Sequence, residues 1–536
     1  MVVLKMKQQT SENAQKMREM LAISPFNQVA LRSLSHVDDI QIFDTTLRDG
    51  EQAPGIALSA DEKYRIALAL DDLGVDIMEA GFAASSEIEK DTIKRIVAEK
   101  PQATICSLAR SVKSDVDAVI DTGVDYIHTF IATSDLHMKY KLKMSPEDVK
   151  AHAVDMVEYA CDHGLKVQFS CEDATRSDLK FMTEVYKAVE EAGACSVNVP
   201  DTVGVIVPQG MSYLIGELRK ALKIPIAVHC HNDMGLAVAN TLAAVEAGAS
   251  ICHVTINGIG ERTGNAALEE VAVNLFANYG VQTVDLSKLG PTAKLVERIT
   301  GFPMAYNKAI VGRNAFAHES GIHVHGVMGN SLTYEPFKPE MVGVDRHIVI
   351  GKHSGVHSVK GRLEELKVRF PDEHMPELMA TIKEIAVGGK EIDDAELVAI
   401  AEHVLWKKEA SVQTAVLDSI AVMTGKNLTS TATVTITLNG EPRTKAEIGV
   451  GPVDAALKAI SEAVNDNISL EEYKLAAITG GSDSICEATV MVKNVQNDGN
   501  LSVGKAVGLD VVQTSVDALM AAINRDFARN VTVKKE

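Results

Sequence analysis

The chain is short of positive charge. Its 536 residues carry 53 Lys and Arg against 73 Asp and Glu, a net charge of −20. That balance argues against nucleic acid and anionic membrane as partners, so any basic site has to be local. Long apolar runs are missing as well: no stretch is long enough to span a bilayer, and the residues before Asp38 lack the apolar core of a signal peptide. Cysteine is sparse, with seven residues and no paired metal-ligand spacing. Cys106, Cys171, Cys230 and Cys252 fall inside strand-like runs, where a buried reduced thiol is expected. A cytoplasmic enzyme fits these exclusions. The apolar share of 46% and charged share of 24% suit a globular protein with full cores, and the length suggests about two to four domains.

From Ile40 to about residue 278, short apolar runs alternate with amphipathic helices. The strand-like runs are Ile40–Thr46, Asp76–Phe82, Ala103–Ala109, Tyr126–Ala132, Lys166–Cys171, Ser196–Asp201, Pro225–His231 and Ile251–Asn257. Helical stretches between them start at capping residues such as Ser59, Ser145 and Ser177 and stop near Gly74, Gly164, Gly193 and Gly248. Runs that are apolar on both faces suit a parallel sheet covered by helices. A TIM barrel and a doubly wound open sheet share this alternation. Motif positions favour the barrel: Asp44, Arg48, Glu79, His128, Glu172, Thr202, His229, His231 and Asn265 all fall at or just beyond the C-terminal ends of the runs. A barrel gathers those ends on one face, and an open sheet spreads them out.

Two segments carry the densest chemistry. The first is Asp44-Thr45-Thr46-Leu47-Arg48-Asp49-Gly50-Glu51-Gln52, and the second is His229-Cys230-His231-Asn232-Asp233. Residues i and i+2 of a strand face the same way, so His229 and His231 can grip one ion together, with Asp44 adding an oxygen ligand. Two imidazoles and one carboxylate leave positions open for water or substrate, as in a catalytic divalent-metal site. Mg²⁺, Mn²⁺ and Zn²⁺ all suit such mixed ligands. Cys230 points to the opposite face and reads as core. Glu79 reads as a supporting carboxylate paired with Arg48, and Arg48 with Glu51 could be no more than a loop ion pair.

Past the barrel the chain turns irregular, with a Gly- and His-rich stretch from Asn314 to His357 that includes His318, His323, His325 and His353, followed by helical segments. From Val412 a β-rich module shows an internal echo, each half reading as strands, a hairpin signal (Asn439-Gly440, then Asp498-Gly499) and a helix opening on Val-Asp-Ala. The expected architecture is therefore an N-terminal extension (1–36), a TIM (β/α)8 barrel (37–300), mostly helical linker subdomains (301–408) and an α+β regulatory domain of duplicated βββα units (409–536).

At the first two motifs, and at Asn257-Gly258-Ile259-Gly260-Glu261-Arg262-Thr263-Gly264-Asn265, the chain resembles the acyl-CoA-dependent α-isopropylmalate, citramalate and homocitrate synthase family. The resemblance implies a divalent metal, acetyl-CoA and a 2-oxo acid as substrates, a homodimer or higher homo-oligomer with a linker reaching into the partner's barrel, and a C-terminal leucine-sensing domain. By motif, Asp44, His229 and His231 resemble the metal ligands, and Asn265 the residue beside the metal. Arg48 and Thr202 resemble the groups holding the 2-oxo acid. His128 and Glu172 match pocket positions. His323 resembles the linker histidine that helps deprotonate acetyl-CoA, although His325 stands where many members have Asp.

These residues support a definite chemistry. Arg48 offers a charged fork to an oxygen on which charge develops. His323, tuned by Glu172 or Glu319, is a credible base for the acetyl methyl group. The expected reaction joins acetyl-CoA to 3-methyl-2-oxobutanoate with thioester hydrolysis, pyruvate and 2-oxoglutarate being the alternative acids. The selectivity among them rests on a few contacts worth about 1–3 kcal/mol per methylene. A metal-dependent aldolase or lyase is the alternative from another class, since fold alone does not separate the two.

Overall fold

The structure, a computed structural model, describes residues 20–31, 39–319, 323, 326–327, 329–348, 350–366, 368–386, 392, 394–406, 414–464, 468–477, 486–494, 501–508 and 510–533. His325, the Asp498-Gly499 hairpin signal and most of residues 1–36 lie outside these. Two compact units emerge: residues 1–318 with 325–347, and residues 319–324 with 348–536.

The first unit is built on a closed barrel of eight parallel strands in sequential order. They are β1 (Gln41–Asp44), β2 (Ile77–Glu79), β3 (Thr104–Arg110), β4 (Tyr126–Ala132), β5 (Lys166–Glu172), β6 (Ser196–Asp201), β7 (Ile226–Cys230) and β8 (Ile251–Val254). Helices α1 (Ala60–Leu73), α2 (Glu87–Ala98), α3 (Lys113–Ile120), α4 (Pro146–Asp162), α5 (Leu179–Glu191), α6 (Pro208–Ala221), α7 (Ala237–Glu246) and α8 (Leu268–Asn274) follow the strands in turn, and α9 (Leu289–Thr300) comes after the barrel. The helices begin where local chemistry says. Ser59 and Glu62 form a reciprocal capping box on α1, which ends on Gly74 in the left-handed region, and Ser145 with Asp148 does the same for α4 behind Pro146.

Strand alternation sorts the core into two layers. Phe43, Ile77, Cys106, Tyr126, Ala227 and Ile251 form one buried cluster within the barrel. Their neighbours Ile42, Met78, Ile127, Val167, Val197, Val228 and Cys252 belong to the larger cluster shared with the helices. The cysteines expected in the core, Cys106, Cys171, Cys230 and Cys252, are buried and free. Several strands stop short of their apolar runs. β8 ends at Val254 because Asn257 adopts φ 62° inside a 3-10 turn over Ile256–Gly258. Of the N-terminal extension, Leu21 is buried and bridges Phe337, and Ala22 and Lys338 complete the local pairing through Pro336 and Met20.

The second unit has a helical part, α10 (Val356–Glu365), α11 (Met375–Ile385) and α12 (Asp394–Trp406), whose apolar faces share one cluster around Leu363, Leu378, Ile382 and Leu397. Two three-stranded antiparallel sheets follow. β9 (Ala415–Met423), β10 (Ser430–Leu438) and β11 (Glu441–Gly449) precede α13 (Pro452–Val464), and β12 (Ile468–Ala477), β13 (Cys486–Asn494) and β14 (Leu501–Gly508) precede α14 (Val511–Val533). The repeat extends to a defect: the register of β9 on β10 shifts between Leu417 and Ser419, and that of β12 on β13 between Leu470 and Glu472, just past the third residue of the first strand in each half. Asn439 (φ 52°) and Gly440 (φ 85°) make the two-residue turn from β10 to β11.

Candidate active site

His229 is the penultimate residue of β7, with its ring edge-on to His253, which stacks on Phe43 inside the barrel. His231 lies two residues on, so both imidazoles project the same way. Their Nε2 atoms are 3.2 Å apart. Oδ2 of Asp49 lies 3.2 Å from Nε2 of His229 and 3.7 Å from Nε2 of His231. All three side chains are buried, and their ligand atoms lie within 4.8 Å of one another.

Asp44, expected to complete this set, is not part of it. Its neighbour Phe43 faces into the barrel, so Asp44 points out toward the helices. There Oδ1 accepts the Thr46 N–H and Oδ2 accepts the Thr46 hydroxyl, both at 2.9 Å. Thr46 Oγ1 in turn accepts the N–H of Ile256, so Asp44 pins the end of β1 to the segment after β8. Burial raises the Asp44 carboxyl to about 7. The carboxylate beside the two imidazoles is that of Asp49, five residues on, which the turn after β1 brings back over the barrel.

Asn265 forms an isolated bridge with His231, and its Nδ2 donates to the carbonyl of Ile259 at 3.1 Å. Its buried Oδ1 has no hydrogen-bond partner among the described residues. Gly260 (φ 154°) lies against this amide, where a Cβ would collide with it, so the loop needs glycine there. Two imidazole nitrogens, a carboxylate oxygen and an amide oxygen match the donor set of a divalent cation. Ligands about 2.1 Å from one ion sit roughly 3 Å apart at right angles, close to the spacing of these Nε2 atoms. The residues therefore fit a metal.

Arg48 is held beside this cluster. Its Nε donates to Oε2 of Glu79 at 2.6 Å, and Nη1 is 3.3 Å from Oδ1 of Asp49. Burial works against the guanidinium charge, but Glu79 and Asp49 outweigh it and leave its pKa above the ordinary value. Burial also pushes the Glu79 carboxyl up, and Arg48 with His128 more than reverses this, holding it at about 2. Burial likewise opposes the Asp49 carboxylate, and Arg48, His229 and His231 hold it far below the usual range. Burial, then the neighbouring His229, lowers His231 to about 4. A neutral imidazole is the form that binds metal.

His128 is fixed at both nitrogens, Nδ1 against Glu79 Oε1 at 2.7 Å and Nε2 against Ser170 Oγ at 2.6 Å. Asn198 Nδ2 donates to that same Ser170 Oγ at 2.8 Å. With Glu79 ionised, Nδ1 carries the proton, and the serine hydroxyl donates to Nε2. Glu172, at the end of β5, takes both oxygens to Lys141 Nζ at 2.6 and 2.8 Å. Thr202 accepts the N–H of Asp173 on Oγ1, while its carbonyl accepts from Arg262, which also clasps Asp233 through Nε and Nη2.

Arg48, Asp49, His128, Glu172, Thr202, His229 and His231 line one pocket of about 260 Å³ at the C-terminal face of the barrel, together with Ser170, Asn198 and Arg262. Asp44 is not in that lining, and His323 lies in the second unit with an exposed side chain. Sequence reasoning overlooked Asp49, the Ser170–Asn198 support of His128, Lys141 and the Arg262 clasp. Strand parity held a clue to the first, since an acid next to an inward-facing aromatic residue faces outward.

Three family models match consecutive stretches of the chain. Residues 39–296 match the HMGL-like family model, residues 310–390 the homocitrate synthase post-HMGL domain-like model, and residues 391–527 the LeuA allosteric (dimerisation) domain. Barrel, pocket and C-terminal module together define a multidomain barrel enzyme with a dimerisation and allosteric domain. The 2-isopropylmalate synthase of Methanocaldococcus jannaschii is 50% identical over 93% of this chain and 97% of its own length. The (R)-citramalate synthase of the same organism is 45% identical over 90% of this chain and 99% of its own. The chain belongs to the 2-isopropylmalate synthase family. Among the described residues no helix is long and apolar enough to cross a membrane.

Proposed function

We propose that the chain condenses acetyl-CoA with 3-methyl-2-oxobutanoate and hydrolyses the thioester, releasing 2-isopropylmalate and CoA, the first committed step of leucine biosynthesis in the cytoplasm. The observation that carries this reading is the 50% identity to the 2-isopropylmalate synthase of M. jannaschii, set against 45% to the citramalate synthase of the same organism. A divalent ion, Mg²⁺, Mn²⁺ or Zn²⁺, held by Asp49, His229, His231 and the Asn265 amide oxygen would polarise the ketone of the 2-oxo acid.

The protein's own groups have separate tasks. Arg48, fixed by Glu79, presents its remaining N–H groups to the oxygen that gains charge, and its orientation is set before substrate arrives. Neutral His128 walls the pocket in one tautomer. Thr202 binds the acid carboxylate. By its motif His323 is the base for the methyl proton of acetyl-CoA, whose carbanion attacks the ketone carbon, and Glu172, steered by Lys141, lines the pocket. Residues 409–536 bind leucine as feedback inhibitor, and the working form is a homodimer. The 45% identity to a citramalate synthase makes pyruvate the second substrate to try. Release of CoA across a panel of 2-oxo acids separates the two readings.

A further inference from the structure

Lys63 lies in the second turn of α1 and is only 1% exposed. Long cationic side chains are almost never buried so completely unless they are paired. Its Nζ is 2.6 Å from Oε2 of Glu51 and 2.5 Å from Oε1 of Glu89. The two acids belong to different elements. Glu51 sits in the 3-10 turn Gly50–Gln52, which starts immediately after Asp49, and its Oε1 accepts the Leu58 N–H at 3.2 Å. Glu89 lies in the first turn of α2, and its Oε1 also accepts the Phe82 N–H at 3.2 Å, just beyond β2. Gly81 (φ 153°) leaves the room this carboxylate occupies, since a Cβ there would overlap it.

The loops after β1 and β2 are thus tied twice. Arg48 ties the first to Glu79 at the end of β2, and Lys63 joins them again through Glu51 and Glu89. The geometry points to Lys63 as a positioning residue for Asp49: it anchors the turn that aims the Asp49 carboxylate at His229 and His231. This rests on the metal reading proposed above. Two partly buried carboxylates with no cation between them repel, so removing Lys63 releases the turn from both neighbours.

The test uses the full-length protein and Mn²⁺ as the probe. Mn²⁺ affinity, unfolding temperature, and kcat and KM for the 2-oxo acid are measured for the wild type, Lys63→Met, Lys63→Arg and Glu51→Gln. Outer groups that orient metal ligands typically account for about 10- to 100-fold in affinity. Lys63→Met is expected to weaken Mn²⁺ binding by that range, Lys63→Arg to recover most of it, and Glu51→Gln to show a smaller loss with little change in unfolding temperature. If Lys63→Met does not fold, Glu51→Gln and Lys63→Arg decide. Folded variants that bind Mn²⁺ as the wild type does, while losing only thermal stability, overturn the positioning role and leave the metal site standing. A wild type that binds no Mn²⁺, or binds it unchanged in His229→Ala, overturns both.

Discussion

His229 and Asp49 meet with Nε2 3.2 Å from Oδ2, although 180 positions separate them in the chain. Asp44, the acid that ends β1, is spent on Thr46 instead. The two acids therefore separate on substitution. Asp49→Ala abolishes divalent-metal binding and leaves the fold intact. Asp44→Ala removes two buried hydrogen bonds, costs about 1–3 kcal/mol in urea unfolding, and keeps metal affinity. Calorimetric titration with Mn²⁺ alongside unfolding curves checks both, and the opposite pattern would restore Asp44 as the ligand.

Metal binding is linked to stability. A ligand that binds only the folded state at about 100 times its Kd adds roughly 2.7 kcal/mol. Unfolding of the wild type should shift by about that much at saturating Mn²⁺, while His229→Ala and His231→Ala should not respond. A shift in both variants equal to that of the wild type would place the ion elsewhere.

Glu79 governs an acid transition. Its carboxyl is held at about 2 against an ordinary 4.5. A depressed folded value means stabilisation that is present above the unfolded value and lost as pH falls from about 4.5 through about 2. The contribution is on the order of 3 kcal/mol. Glu79→Gln leaves Arg48 with a poorer buried partner, so it is less stable near neutral pH, and its stability changes less across the acid window. Urea titrations at about pH 7, 4.5 and 3 test this, and equal slopes for the two proteins would count against the pair.

How far the sequence could be read differed between fold and site. The barrel was legible because parallel strands buried on both faces are continuous apolar runs, and because Ser59, Ser145 and Gly74 punctuate the helices. The duplication was legible from the repeated Val-Asp-Ala, which opens α13 but lies inside α14, whose helix begins earlier at Val511; the matched bulges after Leu417 and Leu470 were not, since nothing in composition marks a register shift. The Asp44 assignment went astray on parity: which face Phe43 takes is settled by its stack on His253, its register partner on the neighbouring strand β8, a contact between residues far apart in the chain. The clamp at Lys63 was hidden for a similar reason. A lysine in an amphipathic helix reads as solvent-facing until Glu51 and Glu89 are seen to enclose it.

Removing residues 409–536 should leave measurable condensation and abolish leucine inhibition. The C-terminal sheets and helices pack around their own apolar cluster, so their loss does not empty the barrel core. Initial rates with and without leucine, in the full chain and the truncated one, read this out. Inhibition unchanged in the truncated protein would move the leucine site elsewhere.

The most direct measurement is CoA release from acetyl-CoA with 3-methyl-2-oxobutanoate, pyruvate and 2-oxoglutarate, before and after chelation with EDTA. The account predicts a clear preference for 3-methyl-2-oxobutanoate, activity lost with EDTA and restored by Mg²⁺ or Mn²⁺. Preference for pyruvate would contradict the substrate assignment, and no thiol release with any acid would contradict the condensation itself.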